Sequence, residues 1–256
     1  MKPSGGRLHG KTAIVTGGTE GIGAAVARSF CAEGAQLLLV ARREEPGRRL
    51  VEELGSGRAR FLAADVSEES TARDAVSAAV AAFGRVDVLV NNAAVDFVRD
   101  ILDTDRADLE RVFAANFFGA FAMLRECGRV MRDQGAGSIV NVTSRNASVG
   151  VPSMGAYAAA KGALLSLTRI AAIEWADAGV RVNAVAPGLT ETPLIRAWID
   201  GQPEPARFRS ALVESVPLGR LAQPEDVAQA IVYLASDESA HVTGASIPVD
   251  GGYTAR

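Results

Sequence analysis

Tyr157 stands four residues before Lys161, and the chain has little of either type. It holds three tyrosines and three lysines in 256 residues. Random placement gives a Tyr-x-x-x-Lys pair roughly 0.04 times per chain, so this spacing carries more weight than a short motif usually does. The segment from Met154 to Thr168 is rich in alanine and leucine, which predicts a helix. Residues at i and i+4 share a helix face, so phenol and ammonium act on one small volume. A free tyrosine keeps its proton until a pH of about 10. A nearby cation favours the phenolate, so Lys161 is expected to lower that value and make Tyr157 a usable acid and base.

The elements that must position this pair form a regular alternation. Strands are predicted at Thr12–Thr16, Gln36–Ala41, Arg60–Ala63, Val86–Asn91, Ser138–Thr143, Arg181–Ala186 and Ser246–Val249. Helices are predicted at 21–33, 44–54, 68–83, 103–133, 154–177 and 224–236. Apolar strands separated by helices imply an α/β fold. Its parallel sheet is covered on both faces, and right-handed crossovers make it doubly wound. No repeat or low-complexity linker divides the chain, so residues 1–256 are expected to form a single dinucleotide-binding catalytic domain. Residues 190–215 break the pattern with Pro193, Gly201, Pro203 and Pro205 among scattered apolar side chains. Such punctuation opposes a single helix, and a long irregular stretch in a compact domain is often a binding element. A substrate lid is expected there.

Composition narrows the class. A net charge of −3 and an apolar fraction of 48% point away from nucleic acid, disorder and polyanion partners. No apolar run approaches about 18 residues, so no membrane span is expected. Met1 to Gly10 lacks the apolar core of a secretory signal, and a cytoplasmic location is expected. Cys31 and Cys127 have no metal-type spacing. His9 and His241 have no ligand-type neighbours, so neither a metal site nor a Ser-His-Asp triad is expected.

The first strand runs into Thr16-Gly17-Gly18-Thr19-Glu20-Gly21-Ile22-Gly23, which opens the first helix. Glycines let a backbone approach a pyrophosphate, and a helix N-terminus offers free N–H groups to it. The spacing is Gly-x-x-x-Gly-x-Gly rather than the common dinucleotide form. The second strand ends at Arg42, 19 residues after Gly23. NAD-selective sites carry a carboxylate near this point, whereas arginine suits a 2′-phosphate. NADP(H) is therefore favoured and NAD(H) remains possible, with Glu20 in the phosphate loop pulling toward the latter.

With these motifs in order, the chain resembles the short-chain dehydrogenase/reductase family in its single-domain form, over about Gly10 to Tyr253. Thr16–Gly23 is similar to the family's glycine motif, which implicates Gly17, Thr19, Gly21, Ile22 and Gly23 in cofactor binding. Asp65-Val66 resembles its adenine-contacting pair. Asn91-Asn92-Ala93-Ala94 resembles its Asn-Asn-Ala-Gly, with Ala94 in place of glycine. Asn116 matches its helix asparagine, and Ser144 stands thirteen residues before Tyr157, the family's interval. Pro187-Gly188 and Thr192 resemble the segment that grips the nicotinamide end. Val249-Asp250-Gly251-Gly252 resembles its C-terminal signature.

The resemblance implies a seven-stranded Rossmann sheet in a homotetramer or dimer. It implies hydride transfer between NADP(H) and a carbonyl or secondary alcohol. Tyr157 is then acid and base, and Lys161 its activator and a ribose ligand. Ser144 fixes the carbonyl, and Asn116 supports a water leading from Lys161 to solvent. An NAD(H) dehydrogenase acting on a sugar, steroid or other secondary alcohol is the alternative. A non-catalytic dinucleotide-binding regulator is disfavoured because all four catalytic-type residues are kept. Within the family, Val216-Pro217-Leu218-Gly219-Arg220 through Gly252 is similar to 3-oxoacyl reductases. The positions where acyl-carrier-protein enzymes present basic residues carry Gly135 and Ala178. Trp198, Phe208, Leu194 and Ile195 suggest an apolar pocket wall, which core packing explains equally well.

Overall fold

The computed structural model describes residues 6–255. Seven strands form one parallel sheet in the order β3-β2-β1-β4-β5-β6-β7. They are β1 (Thr12–Thr16), β2 (Gln36–Ala41), β3 (Ala59–Ala63), β4 (Val88–Asn91), β5 (Gly137–Val142), β6 (Val180–Pro187) and β7 (Ser246–Val249). The period of two along each strand decides which layer a residue joins. Ala13, Val15, Leu37, Leu39, Val88 and Val90 face one core. There they meet α1 (Gly21–Ala32), α2 (Glu44–Leu54) and α9 (Pro224–Ala235). Ile14, Leu38, Val40, Leu89 and Ile139 face the other. Their partners are α3 (Glu69–Phe83), α5 (Gly119–Gln134) and α6 (Gly155–Glu174). Full burial of each leucine or valine contributes about 1.5–3 kcal/mol. A sheet covered on both faces explains why its strands are apolar with little alternation.

The strand order reverses between β1 and β4, and in such sheets the crevice at the carboxyl ends near the reversal is where ligands bind. The glycine turn follows β1, Asn92 follows β4 and Ser144 follows β5, so the topology gathers them at one edge.

Two regions depart from expectation. The predicted helix 103–133 is α4 (Arg106–Phe113), a π-helical turn at Ala114–Phe118, and then α5. The widened turn carries Asn116, whose side chain leaves the helix to bind the loop after β4. Side-chain insertion of this kind belongs with π-bulges at functional sites. Residues 190–215 are helical rather than irregular, forming α7 (Pro193–Asp200) and α8 (Pro205–Glu214). Both begin with proline, whose missing N–H costs nothing in a first turn. The punctuation therefore marked two helix starts. Ile199, Val216 and Leu221 form a small core of their own beneath α7 and α8, and Trp198 meets Phe208 edge-on at 4.8 Å. Among the described residues, no helix is long and apolar enough to cross a membrane.

Candidate active site

A cleft of about 720 Å³ runs across the carboxyl ends of the strands, from Arg42 and Asp65 at one end to Ser144, Tyr157 and Trp198 at the other. Its floor begins at the glycine turn. Gly17 has φ +61°, and a Cβ there would lie 2.8 Å from Ala93 Cα; at Gly23 it would lie 2.1 Å from the Gly17 carbonyl oxygen. Only glycine fits either place. Asn92 donates from Nδ2 to the carbonyls of Thr16 and Gly17, both at 3.1 Å. Thr16 Oγ1 accepts from the backbone N–H groups of Asn92 and Ala93. Asn92 thus builds the turn with its side chain. Glu20 precedes α1 without a side-chain capping bond, which leaves the first-turn amides to the cleft. A backbone cradle closed to side chains, at an uncapped helix N-terminus, fits a dinucleotide pyrophosphate.

At the end of the cleft beside β2, Arg42 is 68% exposed, with Nη1 3.8 Å from Asp65 Oδ2. Burial opposes ionisation of Asp65. The N–H and Oγ of Ser67, together with the Arg42 charge, outweigh it and hold this carboxyl below its ordinary value. Glu20 forms an ion pair with Arg43. This pair escaped the sequence reading, because nothing in the spacing brings the phosphate loop to the end of β2. Val66, Ile22, Thr19 and Ala93 also line the cleft. Thr192 caps α7 through Oγ1, which accepts from the Ile195 N–H, and its methyl lies against Gly21. Pro187 and Gly188, at the end of β6, complete the wall.

At the other end α6 presents Tyr157 and Lys161 to the end of β5. Lys161 is 2% exposed. Its Nζ donates to the Val142 carbonyl at 2.8 Å and lies 5.8 Å from the Tyr157 ring centroid. Burial lowers Lys161 to about 8. Tyr157 moves opposite to expectation. Burial and the charge of Asp96 raise it to about 12, while a hydrogen bond with Ser144 works the other way. Removal from water is the largest cause and outweighs the Ser144 bond. Ser144 Oγ accepts from the Asn146 N–H at 3.1 Å. Asn116 is fully buried. It spends its side chain on Val95, accepting from the N–H at 2.8 Å and donating to the carbonyl at 2.9 Å.

Asp96, Arg145 and Asn146 also line the cleft and were missed. Arg145 lies over the Tyr253 ring, 3.8 Å from its centroid, which brings the C-terminal turn to the site. Only their place directly after β4 and β5 could have signalled them. Leu194, Ile195 and Trp198 of α7 cover this end.

Comparison with known proteins agrees with this geometry. A family model described as Enoyl-(Acyl carrier protein) reductase matches residues 17–254. Galactitol 2-dehydrogenase (L-tagatose-forming) of Cereibacter sphaeroides is 41% identical over 97% of this chain and 96% of its own. The NADP-dependent (R)-specific alcohol dehydrogenase of Lentilactobacillus kefiri is 39% identical over 98% of this chain and 99% of its own. A solved short chain dehydrogenase/reductase family protein superposes with TM-score 0.85 at 38% identity, covering 97% of this chain and 99% of its own. The chain belongs to the short-chain dehydrogenase/reductase family and is an NAD(P)-dependent oxidoreductase.

Proposed function

We propose that the chain transfers hydride between NADP(H) and a carbonyl or secondary alcohol, with Tyr157 as the proton donor and acceptor. The observation that carries the reading is the convergence of Ser144, Tyr157 and Lys161 on one wall of a cleft whose other end is a dinucleotide cradle. The nicotinamide, when bound, supplies or accepts the hydride. Everything else falls to the protein. A phenol held near 12 keeps its proton at neutral pH, which suits a donor to the alkoxide that develops as a carbonyl is reduced. Ser144, already hydrogen-bonded to Tyr157, orients the same oxygen and stabilises its charge. In the oxidation direction Tyr157 must accept a proton, and the cation of Lys161 then favours its phenolate. Asn116 fixes the Val95 loop and so positions the wall opposite.

Arg42 and Arg43 both border the adenosine end, and two guanidiniums suit a 2′-phosphate. NAD(H) has one observation in its favour: Asp65 and Glu20 already engage those arginines. The 3.8 Å Arg42–Asp65 separation is long for a charge-assisted bond, so Arg42 remains available to phosphate.

Residues 190–215 act as the lid, moving on their own small core. The chain works as a homo-oligomer, an assembly supported by the exposed Phe118, Phe121, Ile170 and Ile173 on α5, α6 and the preceding π turn. A panel of carbonyls and alcohols with both cofactors tests the function. Turnover with NADP(H) is expected, and none with any substrate and either cofactor overturns it.

A further inference from the structure

The substrate end of the cleft contains polar groups that the proposed hydride transfer does not use. Asn146 follows Ser144 by two residues in a short 3-10 turn. Its backbone N–H is spent on Ser144 Oγ, but its side-chain Oδ1 is enclosed with no hydrogen-bond partner. An enclosed amide oxygen without a partner is destabilising. Such groups in native proteins call for a specific explanation. The residue borders the cleft, and χ2 of asparagine is soft, so the amide can turn to meet a ligand there. On the loop after β4, Asp96 borders the same space. One of its oxygens accepts from the Phe97 N–H, and its charge acts on Tyr157.

A carboxylate only accepts hydrogen bonds, so the ligand group that meets Asp96 must donate. The amide of Asn146 accepts on one side and donates on the other. A hydroxyl does both and satisfies it whichever way it is turned. A hydrocarbon flank satisfies neither residue. We infer that the substrate is a polyol, or the matching hydroxyketone. Its hydroxyl next to the reacting carbon binds Asn146 and Asp96 while Ser144 and Tyr157 hold the reacting oxygen. This inference rests on the proposed hydride transfer and adds the substrate class and two specificity residues to it.

Three four-carbon alcohols, all oxidised at carbon 2, isolate the neighbouring hydroxyls: 2-butanol, 2,3-butanediol and threitol. The purified full chain should give kcat/KM rising in that order. A site that hydrogen-bonds a substrate hydroxyl discriminates strongly against analogues that lack it. Asn146→Ala keeps the backbone N–H on Ser144 and should lower the ratio of kcat/KM for 2,3-butanediol to that for 2-butanol by about tenfold. Asp96→Ala should lower it in the same direction. Equal loss on both substrates in Asn146→Ala, or a wild type that handles 2-butanol as well as the diol, overturns the inference. The wild-type ladder is independent of whether either variant folds. Turnover of cyclopentanol without any preference for diols sinks the polyol reading alone. No turnover of any alcohol or carbonyl sinks the hydride-transfer proposal as well.

Discussion

The two ends of the cleft are built on opposite electrostatic plans. At the adenosine end the charges lie near solvent, with Arg43 paired to Glu20 and Arg42 standing 3.8 Å from Asp65. Exposed pairs contribute at most about 1 kcal/mol each and weaken with salt. At the reaction end the groups are buried and sparsely partnered. Lys161 donates to a backbone carbonyl, and both it and Tyr157 are shifted by burial. The contrast teaches where change is cheap. Partners at the adenosine end can be exchanged with graded consequences for cofactor choice, whereas the reaction end depends on single atoms.

The sharpest way to break this contrast is to remove one atom from the buried end. Tyr157→Phe deletes only the hydroxyl and leaves the ring packed on α6. A positioned acid or base contributes about 10²- to 10⁴-fold, so turnover should fall by that order. Folding, read by circular dichroism, and dinucleotide affinity should change little. Turnover within a few-fold of wild type would reject the proton-transfer assignment.

Lys161 gives the next largest effect and a pH signature. Its value in the fold, about 8, lies below the ordinary 10.5. The ammonium is therefore present below about pH 8 and lost above it. The rate of carbonyl reduction should fall as pH rises through about 8, with a midpoint that belongs to the Lys161–Tyr157 pair. Burial also penalises the ammonium in the folded state alone. That penalty is present below about 8 and disappears toward 10.5, so this group favours stability as pH rises across the interval. Lys161→Arg keeps a cation but is bulkier and planar. It should lose most activity, and what remains should no longer fall near pH 8. A residual rate with the wild-type profile would show that another group sets it.

A third comparison sets two glycines against each other. At Gly23 an added Cβ meets the Gly17 carbonyl at 2.1 Å, while at Gly162, beside Lys161 on α6, nothing lies within 4 Å. Gly23→Ala should destabilise by about 1–3 kcal/mol through overpacking and weaken dinucleotide binding. Gly162→Ala should stabilise by about 0.5–1 kcal/mol, since alanine is the better helix former. Thermal melts of the two variants decide it, and equal Tm values would refute the close packing inferred for the cradle.

What the sequence disclosed follows the same division. The sheet was legible because strands buried on both faces leave apolar runs bounded by helices, and three of the seven, β1, β2 and β7, have the predicted limits. The glycine turn and the Tyr157–Lys161 spacing were legible because they are local. Three features were not, and each depends on tertiary contact. The π turn at Asn116 goes with a side chain that bonds Val95, on the loop after β4. The rise in Tyr157 comes from burial in the folded cleft and then from Asp96, on another loop. The Glu20–Arg43 pair joins two turns that only the β1–β2 pairing brings together. The helices α7 and α8 are hidden for a different reason, because proline reads as a break from sequence where in the fold it begins a helix.

The smallest expected effect lies at the exposed end, where Arg42 tests whether cofactor choice is graded. A well-formed arginine–phosphate contact is a charged hydrogen bond of about 1.5–3 kcal/mol, roughly ten- to a hundredfold in selectivity. The lower figure is expected here, because Arg42 is 68% exposed and salt screens it. Glu20 would repel the 2′-phosphate if it stood alone, but Arg43 neutralises it. Arg42→Asp removes the cation and adds a carboxylate to the end of β2, where a dinucleotide site selects the ribose diol. Asp65 nearby then makes a second like charge, which also opposes phosphate. The wild type should show higher kcat/KM with NADP(H), and the variant should shift by about tenfold toward NAD(H). The preference should also narrow as salt is raised in the wild type, since the contact is exposed. Initial-rate series with both cofactors at two ionic strengths measure all three. A wild type equal or better with NAD(H), joined to a variant that does not shift, would overturn the NADP(H) proposal while leaving the chemistry at Tyr157 untouched.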